Sequence, residues 1–310
     1  MDNKFALGIS LGVLPTEEIF SSLAAAGISC VEISVLGEGR ERLLPESENI
    51  RAMARRYGIC LWSMHLPFGR EEMNFCAPEA EERERTLALQ KENLRGAHAL
   101  GIERVVVHGG IPLPQTERKE WFEIAKKNIA LLQTETSRIG ITVCVETLMP
   151  SCIGRNSREI LEILDAHPDL RVCLDPNHLL GESHEELIRR IGNRIVTTHI
   201  SDYDFLNERH WMPGEGKIDW PRLIAALRTV GYDGPLLYEV SLFKTPQSID
   251  RRALTFADYK ENHHALLAAQ TPKAIGIPNK EICENSTFAK FYLQTYGVTY
   301  DENGKFREEI

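Results

Sequence analysis

The seven cysteines of this 310-residue chain include no Cys-x-x-Cys pair, which removes thiolate zinc sites and paired redox motifs from consideration. An odd number without paired spacing also makes a poor disulfide framework. Cys30, Cys60, Cys144 and Cys173 sit in short apolar runs and read as small core residues in a reducing compartment. No run approaches the roughly twenty apolar residues of a membrane span. Met1-Asp2-Asn3-Lys4 leads into an apolar strand without a signal-peptide core. A soluble, cytoplasmic protein is therefore expected. There is no GxGxxG, no P-loop and no Gly-x-Ser-x-Gly, so nucleotide-driven and serine-hydrolase chemistry have no support. Basic side chains are in deficit, 36 against 45 acidic ones, for a net charge of −9. That balance argues against a surface built to neutralise phosphate backbones, and nucleic acid is not the expected partner.

What is present is ordinary globular chemistry, 43% hydrophobic and 26% charged, arranged in strict alternation. Short apolar runs read as strands at 6–10, 30–34, 61–65, 105–108, 142–146, 172–175, 195–200 and 236–240. Amphipathic stretches between them read as helices at 16–25, 47–57, 82–100, 117–137, 157–166, 183–191 and 220–230, with a last one at 257–268. Eight strands alternating with helices imply a parallel sheet covered by helices, and eight closes a barrel. The expected architecture is a (β/α)₈ TIM barrel over residues 1–270. Residues 271–310 break the pattern with Pro272, Pro278 and an aromatic stretch, Phe288–Tyr296. They read as an extension packed on the barrel or on a partner subunit, which leaves a homo-oligomer open; a partly ordered tail is the alternative.

Ionisable residues stand at the C-terminal ends of most of these strands: His65, His108, Glu146, Asp175, His199 and Glu239. In this architecture that end is the active-site face, so the six point into one basin. Unpaired buried charge is costly, and a shared divalent cation is the simplest common partner. Glu146 ends an otherwise apolar strand, Asp175 and His178 flank a strand-to-loop turn, and Asp202 lies close enough to His199 to orient it. Carboxylate-rich ligation with one imidazole and no thiolate favours Mn²⁺, with Mg²⁺, Co²⁺ and Zn²⁺ also fitting.

The series Glu146, CLDPNH at 173–178, THISD at 198–202, RHWMPGEGKIDW at 209–220 and YEV at 238–240 resembles the xylose isomerase-like superfamily. The resemblance covers residues 5–268 by strand order and is carried best by the Pro213-Gly214-Glu215-Gly216 loop. It implies one metal ion held by Glu146, Asp175, His199 and Glu239, with Glu146 and Glu239 also transferring protons. His178 would hydrogen-bond substrate oxygen, and Arg209 or His210 would contact the sugar end. His65, His108 and Trp211 complete the expected substrate contacts. The implied activity is isomerisation or epimerisation of a sugar, sugar phosphate or related polyol or keto-sugar. Removing the α-proton of an α-hydroxy carbonyl leaves an enediolate, whose oxyanion a bound cation stabilises.

Two other activities belong to the same resemblance. Type IV apurinic endonucleases hold several zinc ions with further histidines matching His65, His108, His178 and His210 and an acid near the last, where this chain has Glu208 in place of Asp. Enolate-forming lyases and dehydratases would use the same proton abstraction. Among smaller signals, Trp62, Phe68, Tyr203 and Trp211 are candidates for an apolar wall, and Glu32 for a substrate contact or a rim support. His98, His167, His184, His263 and His264 read as solvated helix residues.

Overall fold

The computed structural model describes residues 4–35, 38–68, 74–112, 114–179, 181–240 and 244–287, and two short strands at 299–300 and 306–307. The eight barrel strands are β1 (Leu7–Leu11), β2 (Cys30–Ile33), β3 (Cys60–His65), β4 (Arg104–Val107), β5 (Thr142–Glu146), β6 (Arg171–Leu174), β7 (Ile195–Thr198) and β8 (Leu236–Tyr238). All neighbours pair in parallel in the order β7-β6-β5-β4-β3-β2-β1-β8. The barrel closes between β7 and β8 by a bridge from Ile200 to Tyr238: Ile200 N donates to Leu237 O at 2.6 Å, and Glu239 N to Ile200 O at 3.1 Å. The eightfold barrel expected from the alternation is the observed fold.

The surrounding helices are α1 (Glu17–Ala26), α2 (Glu38–Glu41), α3 (Ser47–Arg56), α4 (Ala80–Leu100), α5 (Arg118–Ser137), α6 (Ser157–Leu164), α7 (His184–Ile191), α8 (Trp220–Thr229) and α9 (Phe256–Leu267). Their starts are written in local chemistry. Thr16, Asn156, Ser183 and Asp219 each accept a hydrogen bond from a first-turn backbone N–H, and Thr255 with Asp258 forms a capping box on α9. The short α2 was not anticipated.

Residues alternate in direction along a strand. The outward set, such as Val31, Val143, Val145 and Val172, joins the main core against the helices. The inward set forms a floor of small or apolar residues, Cys30, Trp62 and Leu237 on one side and Val106, Cys144 and Cys173 on the other. Two residues further along the same strands stand Glu32, Glu239, His108, Glu146 and Asp175. The basin is thus one layer above a packed floor. All seven cysteines are free thiols, and Cys30, Cys144 and Cys173 are floor residues, as their apolar surroundings suggested.

Beyond the barrel, β9 (Ile249–Asp250) pairs antiparallel with β10 (Ile277–Pro278), followed by α10 (Lys280–Asn285). The aromatic stretch 288–296 lies outside the described residues.

Candidate metal centre

Four side chains from β5, β6, β7 and β8 converge. One ligand atom from each of Glu146, Asp175, His199 and Glu239 lies within 4.8 Å of every other. His199 Nδ1 is 3.0 Å from Glu146 Oε1 and 3.4 Å from Glu239 Oε2. The second oxygen of Glu146 faces His65 Nε2 at 3.0 Å and His108 Nε2 at 2.9 Å. His178 Nδ1 lies 3.5 Å from Asp175 Oδ2 but donates to Thr147 O at 2.9 Å. The hydroxyl of Thr147 in turn accepts from Asp175 N at 2.9 Å and pins that turn.

The imidazoles are set as they would be around a cation. His65 Nδ1 donates to Leu66 O at 2.8 Å, His178 Nδ1 to Thr147 O, and His199 Nε2 to Glu32 Oε1 at 3.0 Å. Each ring therefore spends its one neutral-form proton on an outer acceptor and turns its other nitrogen toward carboxylates. A lone pair cannot sit against a carboxylate oxygen; either a second proton or a metal ion must lie between them. Without an ion, protons fill that place. Burial opposes charge on His199 and His178, yet the anionic groups around them raise both well above the usual histidine value. Burial likewise works against an ionised Glu146, but His199 and His108 outweigh it and hold the carboxyl well below its usual range. Asp175 is the exception: burial, reinforced by Glu239 and Glu146, pushes it up to about 7.

Two oxygens aimed into this cluster, Asp175 Oδ2 and Glu239 Oε2, are buried and accept no hydrogen bond. Buried carboxylate oxygens are rarely left so, and an ion is one of the few adequate partners. The donor set, three carboxylates and one imidazole with two orphaned oxygens, fits a divalent metal.

A second group adjoins the first. Glu208 Oε1 lies 2.6 Å from His210 Nε2 and 3.4 Å from His178 Nε2, and the three could also hold a cation. His210 has a positive φ of 50°, a backbone state that a non-glycine residue adopts at a cost. Asn177 Oδ1 holds it there, accepting from the backbone N–H groups of Arg209 and His210 at 2.9 and 3.2 Å.

Several expected roles move once side chains are placed. Arg209 does not enter the basin. Its guanidinium pairs with Asp204 at 2.9 Å and donates to Ser286 Oγ and Cys283 O, which ties the loop after β7 to α10. Trp211 is no substrate wall, since it is fully buried against Ile249 and Cys283 with Nε1 donating to Ser248 Oγ at 3.0 Å. Asp202 does not orient His199; its carboxylate accepts from Tyr203 N, Gly214 N, Ile218 N and Trp220 Nε1. Glu32 takes that part instead. Trp62 lies in the barrel floor and Tyr203 is fully buried, so Phe68 alone of the four aromatics borders the basin, its ring 4.7 Å from His65 and 4.2 Å from His108. His184 and His263 are buried ties to Pro176 O and Phe5 O rather than solvated residues. The position of Glu32 was readable in advance: it is the one charge in Cys30-Val31-Glu32-Ile33 and shares the inward face with Cys30.

Fold and site together define a parallel (β/α)₈ barrel whose C-terminal mouth gathers carboxylates and imidazoles. The chain belongs to the xylose isomerase-like TIM barrel family, whose model matches residues 20–257. Among curated relatives, the uncharacterised protein y4fM of Sinorhizobium fredii is 25% identical over 210 residues, 65% of each chain. Inosose isomerase of Bacillus velezensis is 29% identical over 170 residues, 50% of this chain and 58% of that one. The chain thus spans just under two thirds of the first of these and less of the second. The apurinic-apyrimidinic endonuclease of Caenorhabditis elegans is 23% identical over 205 residues, 59% of this chain and 52% of that one. Among solved structures, a D-tagatose 3-epimerase-like protein superposes with a TM-score of 0.71 at 21% identity, covering 85% of this chain and 97% of its own. A D-psicose 3-epimerase with D-fructose superposes at 0.69 and 18% identity, with the same coverage.

Proposed function

We propose that the protein is a divalent-metal-dependent isomerase or epimerase of a sugar, sugar phosphate or related polyol or keto-sugar. The observation that carries this reading is the convergence of Glu146, Asp175, His199 and Glu239 with two buried carboxylate oxygens left without a hydrogen bond. The names of the relatives and structural neighbours, an inosose isomerase and two 3-epimerase folds among them, lean the same way. Glu146, Asp175, His199 and Glu239 would hold a divalent ion, Mn²⁺ by ligand type, which would supply positive charge against the negative charge that develops on a substrate oxygen. The chain's own residues do the rest. Glu239 is the proton-abstracting base: its side chain is 24% exposed at the mouth, so the carboxylate that turns its buried Oε2 to the ion still reaches substrate. Glu146, the other half of the expected acid–base pair, has both oxygens occupied by His199, His65 and His108 and is better placed to anchor the ion than to exchange protons. His178 and His210 stand beside the cluster with Nε2 against Glu208 Oε1, and these nitrogens would turn from it to substrate oxygens, while Phe68 offers an apolar face. Seven free cysteines support a reducing, cytoplasmic setting.

The His178–Glu208–His210 group favours one competing reading, a multi-zinc phosphodiesterase related to the apurinic endonucleases. Metal analysis of the purified protein separates the two. One equivalent of Mn²⁺ or a similar ion, with deuterium wash-in from D₂O into a ketose or inosose, supports proton transfer. Two or three zinc ions with cleavage of abasic DNA and no exchange on any hydroxy-ketone would sink it.

A further inference from the structure

We infer that Glu32, on β2, is a positioning residue that fixes the tautomer of His199 and raises its strength as a metal ligand. This rests on the metal reading above. The carboxylate and the ring it holds are both fully buried, and three donors meet it. Ser10 Oγ and His199 Nε2 give to Oε1, each at 3.0 Å, and Ser63 Oγ gives to Oε2 at 2.8 Å. Donors from three strands thus clamp the group. It cannot swing into the basin toward a substrate, and it carries no proton to offer.

The consequence falls on His199. With Nε2–H committed to an anion, the ring must present Nδ1 as a bare lone pair, and Nδ1 is the atom that faces Glu146 Oε1 and Glu239 Oε2. The two other rings held from behind, His65 and His178, lean on neutral carbonyls, Leu66 O and Thr147 O. Of these three rings His199 alone is backed by a full negative charge, which strengthens it as a donor to a cation. Glu32 has no ligand atom in the cluster of Glu146, Asp175, His199 and Glu239 or in the His178–Glu208–His210 group, so its effect runs through the ring.

The replacement Glu32→Gln separates charge from shape. The amide oxygen can keep the bonds from Ser10 and His199, while its NH₂ donates to a rotated Ser63 hydroxyl. The fold is therefore retained, and what is lost is the negative charge. Mn²⁺ is titrated into metal-free wild type and variant, with free Mn²⁺ followed by electron paramagnetic resonance. The variant is expected to bind about 10- to 100-fold more weakly, with the metal-free protein still giving the circular dichroism spectrum of the folded barrel. Equal affinities overturn the role of Glu32 and leave the metal reading standing, whereas a wild type that binds no divalent ion overturns both. A measurement needing no variant is ¹⁵N spectroscopy of the histidine rings in Mg²⁺-loaded wild type. It should find His199 protonated at Nε2 and bare at Nδ1; the opposite tautomer ends the proposal even if Glu32→Gln fails to fold.

Discussion

Glu146 and Glu239 occupy equivalent strand ends but are differently committed. Three imidazoles hold the oxygens of Glu146, whereas Glu239 keeps a buried oxygen that accepts no hydrogen bond. Replacing Glu239 with Gln should lower turnover about 1,000-fold, within the range of a lost acid–base group, while the melting temperature holds. Near-normal deuterium exchange by that variant removes Glu239 from the base role. Glu146→Gln should fail one step earlier, at metal retention, because it strips charge from the group that His65, His108 and His199 share. A Glu146→Gln protein that still carries a full equivalent of ion would contradict the anchoring role. Glu208→Ala speaks to ion number: with a single ion at Glu146, Asp175, His199 and Glu239, metal stoichiometry stays at one, whereas a multi-zinc centre loses an equivalent.

At the scale of elements, two loops do the positioning. The loop after β5 is braced by a buried pair in which Arg118 donates to Glu159 at 2.9 and 2.8 Å and to the carbonyls of Pro150, Ser151 and Cys152. Burial opposes charge on Glu159, but Arg118 and Arg155 outweigh it and lower its pKa. A depressed carboxyl stabilises the fold above its unfolded value, near 4.3, and that contribution fades as pH falls through the folded value. Glu159→Gln should therefore cost about 3 kcal/mol at neutral pH, read as a lower urea midpoint. The gap to wild type should narrow below about pH 4; a gap constant from pH 7 to pH 3 contradicts this account. The loop after β7 is wound around the Asp202 carboxylate, with Gly216 packed against it. A Cβ at position 216 would overlap Asp202 Oδ1 and Tyr203 O. Gly216→Ala should consequently destabilise the loop that carries Glu208 and His210, lowering activity more than it lowers the melting temperature; a fully active variant would show that the loop can yield.

At the scale of the molecule, residues 272–287 are part of the site's support. Gly276 N donates to Glu215 Oε1 at 2.9 Å, and Arg251 pairs with the other Glu215 oxygen at 2.6 Å. Cys283 O and Ser286 Oγ receive Arg209, and Cys283 covers Trp211. A chain ending at residue 270 should lose the ties from Gly276, Cys283 and Ser286, expose indole surface worth roughly 2–3 kcal/mol, and lose metal affinity with stability. Unchanged thermal melting and metal binding by the shortened chain would show the barrel to be self-sufficient.

The barrel was legible because each strand is a short apolar run and the helices α1, α6, α7, α8 and α9 start at their own capping side chains, properties of local sequence that act over a few residues. The convergence of Glu146, Asp175, His199 and Glu239 was legible for the same reason. A charge at the end of an apolar strand, two residues past an inward floor position, has one direction to point once the strands are parallel. What sequence could not decide was which nearby charge meets which. Arg209, Trp211 and Asp202 belong to motifs that sit beside the site in the chain, yet the loop after β7 folds so that they face Asp204, Ser248 and Gly214. Glu32, 167 residues from His199, touches it only because the barrel brings β2 and β7 to a common interior. Periodicity and burial determined the elements, since both are local or averaged along the chain. The pairing of side chains across the barrel and within the long loop depended on closure, which no local property encodes.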